Sequence, residues 1–408
     1  MIEWKKVKLG DYCLKIGSGS TPKGGSTVYV ESGTSFIRSQ NVYNLSFDYN
    51  GLTHITEEAA NKLKGVTIFN EDILLNITGD SVARTCIVPN DVLPARVNQH
   101  VAIVRVDRKK MNGRFLNYYL ASPRMQAHML SLAVGKGASR NAMTKQMIEN
   151  FKVPCPPLDT QHRIATILSR YDSLIENYQK QIKLLEESAQ RLYMEWFIDL
   201  RFPGHESTKI VDGVPEGWEK KKIGNISKTT SGGTPSRTNN SFYSGSIMWV
   251  KTKELCDGFI LGTEEKITEE AIKKSSAKIV PAGSILMAMY GATIGKLGIA
   301  TKDLTCNQAC CVFLISEDNP LRWYIFNWLL QNRNFLISQG KGAAQPNLSQ
   351  DMIKGFELII PDDKSLRGYH LLINPIYLNI KSLQSQICQL TEARNRLLPK
   401  LMSGEIKV

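Results

Sequence analysis

The 408-residue chain has no apolar run approaching the roughly 20 residues that a membrane-spanning helix needs, the longest being about seven, from Ala309 to Ile315. A helical span is excluded. The first residues, MIEWKKVKLG, carry no apolar signal stretch, and the eight cysteines form no CxxC pair and no regular framework. A disulfide scaffold is excluded by that spacing, and a cytoplasmic protein is expected. Cys306, Cys310 and Cys311 cluster, but ACCVFLI has the composition of a buried strand, so buried thiols are expected there rather than a metal site. The six histidines lack HxxxH or HExxH spacing, and no GxSxG serine is present. MYGATIGKL around Gly291 is one residue short of a phosphate loop and puts Leu297 where a metal-binding Ser or Thr belongs. NPIY at Asn374 lies inside a heptad pattern with no glycine-rich cofactor loop before it, and Asp362 and Glu405 would sit at opposite ends of one helix. No catalytic constellation remains, so the chain is expected to be non-catalytic and to bind no metal or cofactor itself.

Acid is the scarcer charge. Lys and Arg number 51 against 38 Asp and Glu, a net +13, which favours a polyanionic partner and nucleic acid before a membrane surface. The surplus is uneven, +8 over residues 1–158 and +2 over 206–362. Solvated lysines that serve only solubility are the ordinary alternative. With 42% hydrophobic and 22% charged residues, the chain can bury a real core, and its length suits two or three domains.

An internal repeat organises the sequence. WKKVKLGD from Trp4 matches WEKKKIGN from Trp218, GSGSTP ending at Pro22 matches SGGTPS around Pro235, and ITEEAA from Ile55 matches ITEEAI from Ile267. Asn98-Gln99 matches Asn307-Gln308, and GKGAS from Gly135 matches GKGAA from Gly340. The offset drifts from 214 to 205, so a unit of about 205 residues is duplicated. Each unit begins with short β-branched runs such as ILLNI from Ile73, VAIVRV from Val101 and SILMAM from Ser284, separated by Gly, Asn and Ser turns. A mixed α+β domain is expected.

The period then changes. From Ile164, apolar residues fall at Leu168, Tyr171, Ile175, Tyr178, Ile182, Leu185, Ala189, Leu192 and Trp196, alternating by four and three. The second copy repeats the register with Tyr369, Ile373, Ile376, Ile380, Leu383, Ile387, Leu390, Leu397 and Leu401, broken only at Arg394. Two long helices forming a coiled-coil seam are expected, with Pro375 kinking the second or marking its start. The expected boundaries are a globular domain over 1–158, a helix over 159–205, a second globular domain over 206–362 and a second helix over 363–408.

Taken in order, SGGTPS from Ser231, GATIGKLGI followed by CNQACCVFLI, VPCPPLDTQHRIATIL from Val153, and EWFIDLRFPG leading into VPEGWEKKKIG resemble the specificity subunit of type I restriction-modification enzymes over nearly the whole chain. The resemblance implies two target-recognition domains in tandem, each reading half of a bipartite double-stranded DNA target, with the two helices paired as an antiparallel coiled coil that sets their spacing, in keeping with an internal pseudo-two-fold. It further implies two methyltransferase subunits that methylate an adenine in each half-site, and restriction-translocase subunits. S-adenosylmethionine and ATP then belong to those partners, not to this chain. The rival is a DNA methyltransferase or nuclease with a degenerate active site. A seam of 33 residues spans about 50 Å at 1.5 Å per residue, more than one ~34 Å duplex turn, which suits two readers. One departure stands out: the first copy has Pro156, Pro157, Leu158 and Gln161 leading into its helix, whereas the second has only Pro361, with Leu366 at the position of Gln161.

Three segments per domain are expected at DNA. Ser18, Gly19, Thr21 and Lys23, and Gly232, Gly233, Thr234 and Arg237, form small-residue loops whose amides can approach phosphates, or plain tight turns. Arg38, Gln40 and Asn41, aligned with Lys251 and Lys253, offer donors and acceptors to base edges, or flank a buried strand. Lys136, Arg140 and Lys341 lie on or beside the GKGA loops as phosphate contacts, and the aligned pair Arg84 and Lys296 is either phosphate contact or surface charge.

Overall fold

The computed structural model describes residues 4–134, 141–340 and 346–408. The chain divides into two compact units, Met1–Glu176 with Gln389–Val408, and Asn177–Cys388.

In the first unit the β-branched runs pair as an antiparallel sheet in the order Thr85–Ile87, Ile73–Asn76, Val101–Val106, Cys13–Ser18. Ile73, Leu74 and Leu75 are buried on both faces, which explains their continuous rather than alternating hydrophobicity. A second sheet contains Thr53–Ile55, Thr34–Ile37 and Ala95–Val97 as neighbours, and its pairing of Ala95–Val97 with Thr34–Ile37 is parallel. The helices Gly113–Ala121 and Pro123–Ala133 complete the unit's core, the first capped by Asn112, whose side chain accepts from Phe115 N at 2.9 Å.

The second unit repeats this plan. Lys228–Ser231, Cys310–Leu314, Ile285–Ala288 and Leu297–Ala300 take the same order, extended by Gly258–Ile260. Glu265–Ile267, Ile247–Val250 and Thr305–Cys306 form the smaller sheet, again with one parallel pair. The backbone keeps the duplication even where the residue types differ: Leu45 and Asp257, Glu71 and Gly283, and Ala83 and Gly295 have positive φ at matching positions, as do Gly79 and Gly291. Cys306, Cys310 and Cys311 are buried, and burial holds the Cys311 thiol up at about 12. The mixed α/β class, with two domains in tandem and long helices, is the observed one.

The long helices are Leu158–Phe197 and Asp363–Ser403. In the first unit Ile164, Ala165 and Leu168, near the start of one, share a core with Leu398, Leu401 and Met402, near the end of the other. In the second unit Ala189, Tyr193 and Trp196, at the end of the first, pack with Tyr369, Ile373 and Tyr377, at the start of the second. Both contacts require antiparallel chains. Among the expected seam residues, Ile175, Ile380 and Leu383 are also buried, while Ile182, Leu185, Leu192, Ile376, Ile387, Leu390 and Leu397 are half-buried. The seam also serves the globular cores: Tyr377 stacks on Trp323 with ring centroids 4.0 Å apart and an 8° interplanar angle.

One expectation is corrected. Pro375 does not begin the second helix, because Asp363–Ser403 continues through it from a start capped by Asp362, whose carboxylate accepts from Ser365 N at 2.7 Å. Gln161, at the entry to the first helix, is fully buried, accepting from Asn112 N at 2.9 Å and donating to Pro156 O at 2.8 Å. Its counterpart Leu366 is buried in the apolar core of the second unit, so the two copies solve the same internal packing problem with different chemistry.

Candidate nucleic-acid interface

The parallel strand pair positions the candidate site in each copy. Val97 is in register with Ile37, and the next residues, Asn98 and Arg38, leave the same carboxyl end, with Asn98 N donating to Ile37 O at 3.0 Å. Val250 is in register with Cys306, and Asn307 N donates to Val250 O at 2.9 Å. The carboxyl ends of parallel strands are where open sheets gather ligand-facing loops. Here that end brings together the STP or GTP loop, the Arg38 or Lys251 turn, and the Asn-Gln pair.

Gly19 and Gly232 are corrected first. A Cβ on Gly19 would lie 2.1 Å from Val97 O, and one on Gly232 would lie 2.0 Å from Cys306 O. The space beside each Cα is filled by the protein's own backbone, and the Gly19 amide is already spent, donating to Val101 O at 2.9 Å. Gly233 is confined likewise against Ser276, and its carbonyl accepts from Trp249 Nε1 at 3.0 Å. Beyond them, Ser18, Thr21, Lys23, Thr234 and Arg237 are exposed. Thr21 donates its hydroxyl to Gln99 Oε1, and Thr234 does the same to Gln308 Oε1. Gln99 and Gln308 are therefore parts of the site that sequence reading passed over, although their recurrence in both copies was the available signal.

Asn41 is also corrected. It is fully buried, its Oδ1 accepting from Arg38 N at 3.0 Å and its Nδ2 donating to Asp48 O at 2.9 Å, so no edge remains for a base. Glu254 closes the corresponding turn by accepting from Lys251 N at 2.7 Å. Arg38 and Gln40 both reach Gly51 O, at 2.7 and 3.3 Å, and Gln40 is exposed. Asn76 donates to Ser39 O at 2.8 Å, tying this turn to the hairpin that carries Arg84. The Arg84 guanidinium stands 4.5 Å from the ring centre of Tyr43, an exposed aromatic beside a cation.

Electrostatics separate the copies. Lys251 Nζ lies 2.9 Å from Glu264 and 2.7 Å from Glu265, Lys253 Nζ lies 2.5 Å from Glu264, and Arg237 forks onto Glu265 at 2.6 and 3.0 Å. Hydrogen bonds from Lys251 and Lys253 pull the Glu264 carboxyl down to about 2, and those from Arg237 and Lys251 do the same to Glu265. Lys296 is paired with Asp257 at 2.6 Å, and Arg333 shares that carboxylate. Among the described residues Lys23, Arg38 and Arg84 have no carboxylate partner. Lys136, Arg140 and Lys341 lie outside the described residues.

Among the described residues, no group of three or more His, Cys, Asp or Glu is placed to hold a metal, and no helix is long and apolar enough to cross a membrane. What the arrangement offers is two equivalent frames, each presenting polar and cationic side chains from three loops. The family model described as "Type I restriction modification DNA specificity domain" matches residues 1–187 and again 215–365, one match per copy. The chain belongs to this family. It is 27% identical to the type I restriction enzyme MjaIX specificity subunit of Methanocaldococcus jannaschii, over the whole chain and 94% of the relative. It is 20% identical to the HindI specificity subunit of Haemophilus influenzae over the full length of both. The crystal structure of the type I restriction-modification S subunit from M. genitalium has the same fold, with a TM-score of 0.61 at 14% identity, covering 98% of this chain and 96% of that one.

Proposed function

We propose that this chain is the DNA-recognition subunit of a type I restriction-modification complex, that each copy of the repeat reads one half of a bipartite target, and that the chain positions two adenine methyltransferase subunits on it. Restriction-translocase subunits join the same assembly, which works on DNA in the cytoplasm. S-adenosylmethionine and ATP are bound by those partners, and this chain contributes recognition without chemistry of its own. One observation carries the reading. The two frames are built on the same parallel strand pair, yet the residues they present differ: Arg38 and Gln40 in one, Lys251 and Lys253 in the other. An unchanged scaffold carrying exchanged side chains is what reading two different sequences with one fold requires.

Base-resolution methylation mapping of host DNA with and without this gene tests the reading. Loss of one interrupted, asymmetric adenine motif is the expected result. Methyl transfer or cleavage by the purified chain alone would instead favour an enzyme with a degenerate active site.

A further inference from the structure

The two frames differ at one register position that controls their charge. Thr53 pairs with Phe36 in the first copy, and Glu265 pairs with Trp249 at the same place in the second. The preceding residues are Leu52 and Glu264. The turn facing them is built alike in both copies, closed by Asn41 onto Arg38 N and by Glu254 onto Lys251 N. Among the described residues, therefore, only the second copy sets carboxylates opposite its turn cations, and two glutamates there occupy three cations: Arg237, Lys251 and Lys253. Glu254 steadies the arrangement by also accepting from Glu264 N at 2.6 Å. Arg237 is further held over the rings of Tyr243 and Trp249, at 4.2 and 5.0 Å from their centres.

We propose that Glu264 and Glu265 are specificity-determining residues of the second recognition domain, acting as tethered competitors of DNA phosphate for Arg237, Lys251 and Lys253. The proposal rests on the DNA-recognition reading above. A carboxylate and a phosphate diester present the same single charge, and both offer paired oxygens to a guanidinium fork. A free duplex must displace a carboxylate that is already in contact and whose effective concentration is high because it is tethered. Each exposed ion pair is weak alone, but here every carboxylate bridges two cations, so the pairs open together. Backbone contact by itself then gains little in this half of the protein, and the cations are surrendered only where base contacts favour the exchanged arrangement. The first copy lacks this device and supplies the sequence-independent grip. The surplus of +8 in residues 1–158 against +2 in 206–362 agrees with that division.

The test uses the full chain with its methyltransferase subunits and a fluorescent duplex lacking the target, titrated between about 50 and 200 mM salt. Glu264→Gln with Glu265→Thr, the latter being the first copy's own residue, should raise non-target affinity roughly tenfold and steepen the salt slope by about two, near 0.9 per phosphate gained. Target discrimination should fall by the same factor. Thr53→Glu should do the reverse in the first copy, weakening non-target binding several-fold and making the slope shallower by about one. Non-target affinity and slope that stay at wild-type values in both variants, while the wild-type complex still binds its target, would overturn the competitor role and leave the recognition reading intact. A wild-type complex that binds no duplex at low salt would overturn both.

Discussion

Arg394 Nη1 lies 2.5 Å from Asp172 Oδ1, joining the two long helices at the one place where the second helix departs from its heptad register. Tyr118 of the first globular domain donates its hydroxyl to the same carboxylate, and burial followed by that charge pushes the phenol well above its ordinary range, so it remains a donor. The break in the apolar pattern is thus a three-residue polar joint between the helices and the domain.

Arg394→Leu would restore the heptad and still destabilise the protein. It leaves Asp172, whose side chain is only 18% exposed, without its cation, a loss of about 3 kcal/mol for a buried pair broken on one side. Replacing both residues, Arg394→Leu with Asp172→Leu, should recover most of that because no unpaired charge remains. Urea unfolding of the two variants checks the ordering. If the single variant is as stable as the double, the joint is not a buried ion pair.

The loops at Gly19 and Gly232 depend on glycine for steric reasons. Gly19→Ala and Gly232→Ala each force a methyl onto a backbone carbonyl at about 2 Å, and should cost about 1–3 kcal/mol as overpacking of an unyielding neighbour. Gly17→Ala is the control, with nothing within 4 Å of its added carbon. Thermal melts should separate the first two from the third, and equal melting temperatures would mean that the loops yield.

Glu264 and Glu265 give the second domain an acid-side signature. Their folded values near 2 lie below the usual ~4.3 of a glutamate, so the stability they add is present above that value and is lost as pH falls from about 5 to about 2. Both are exposed enough for salt to screen the effect. Calorimetry over that window at low salt should show wild type losing more stability than Glu264→Gln with Glu265→Gln. The gap should close near 1 M salt.

The duplication, the strands and the long helices were legible because hydrophobic period and repeated motifs are written into contiguous residues. The site was legible only in part. Arg38, Lys251 and the GGTP loop stand out by composition, but Asn41 resembles a base reader until its amide is found closing a turn. Glu264 and Glu265 carry no signal as partners of Lys251, because strand register brings together residues 13 and 14 positions apart. Pro375 looked like a boundary because propensity weighs it as a helix breaker, yet flanking Ile373, Tyr377 and Ile380 bury enough apolar surface to carry the helix through.

Gln99 and Gln308 allow each half-site to be assigned to a copy. Each accepts the hydroxyl of the threonine in its glycine loop, and each leaves the carboxyl end of the parallel strand pair beside Arg38 or Lys251. Gln99 also lies 3.3 Å from His100 Nε2, and His100 meets Thr78 at 2.6 Å, a chain that the second copy ends early because Ala309 replaces the histidine. Removing either glutamine should free its loop at about 0.5–1.5 kcal/mol, the net worth of one hydrogen bond, without emptying the core. Gln99→Ala should therefore weaken or relax recognition of one half of the methylated motif, and Gln308→Ala of the other half, each by about threefold to tenfold in modification rate. Methylation mapping in cells carrying each variant reads both halves at once. If either variant alters both halves equally, the glutamine supports the whole chain rather than its own loop, and the equivalence of the two frames does not extend to independent reading.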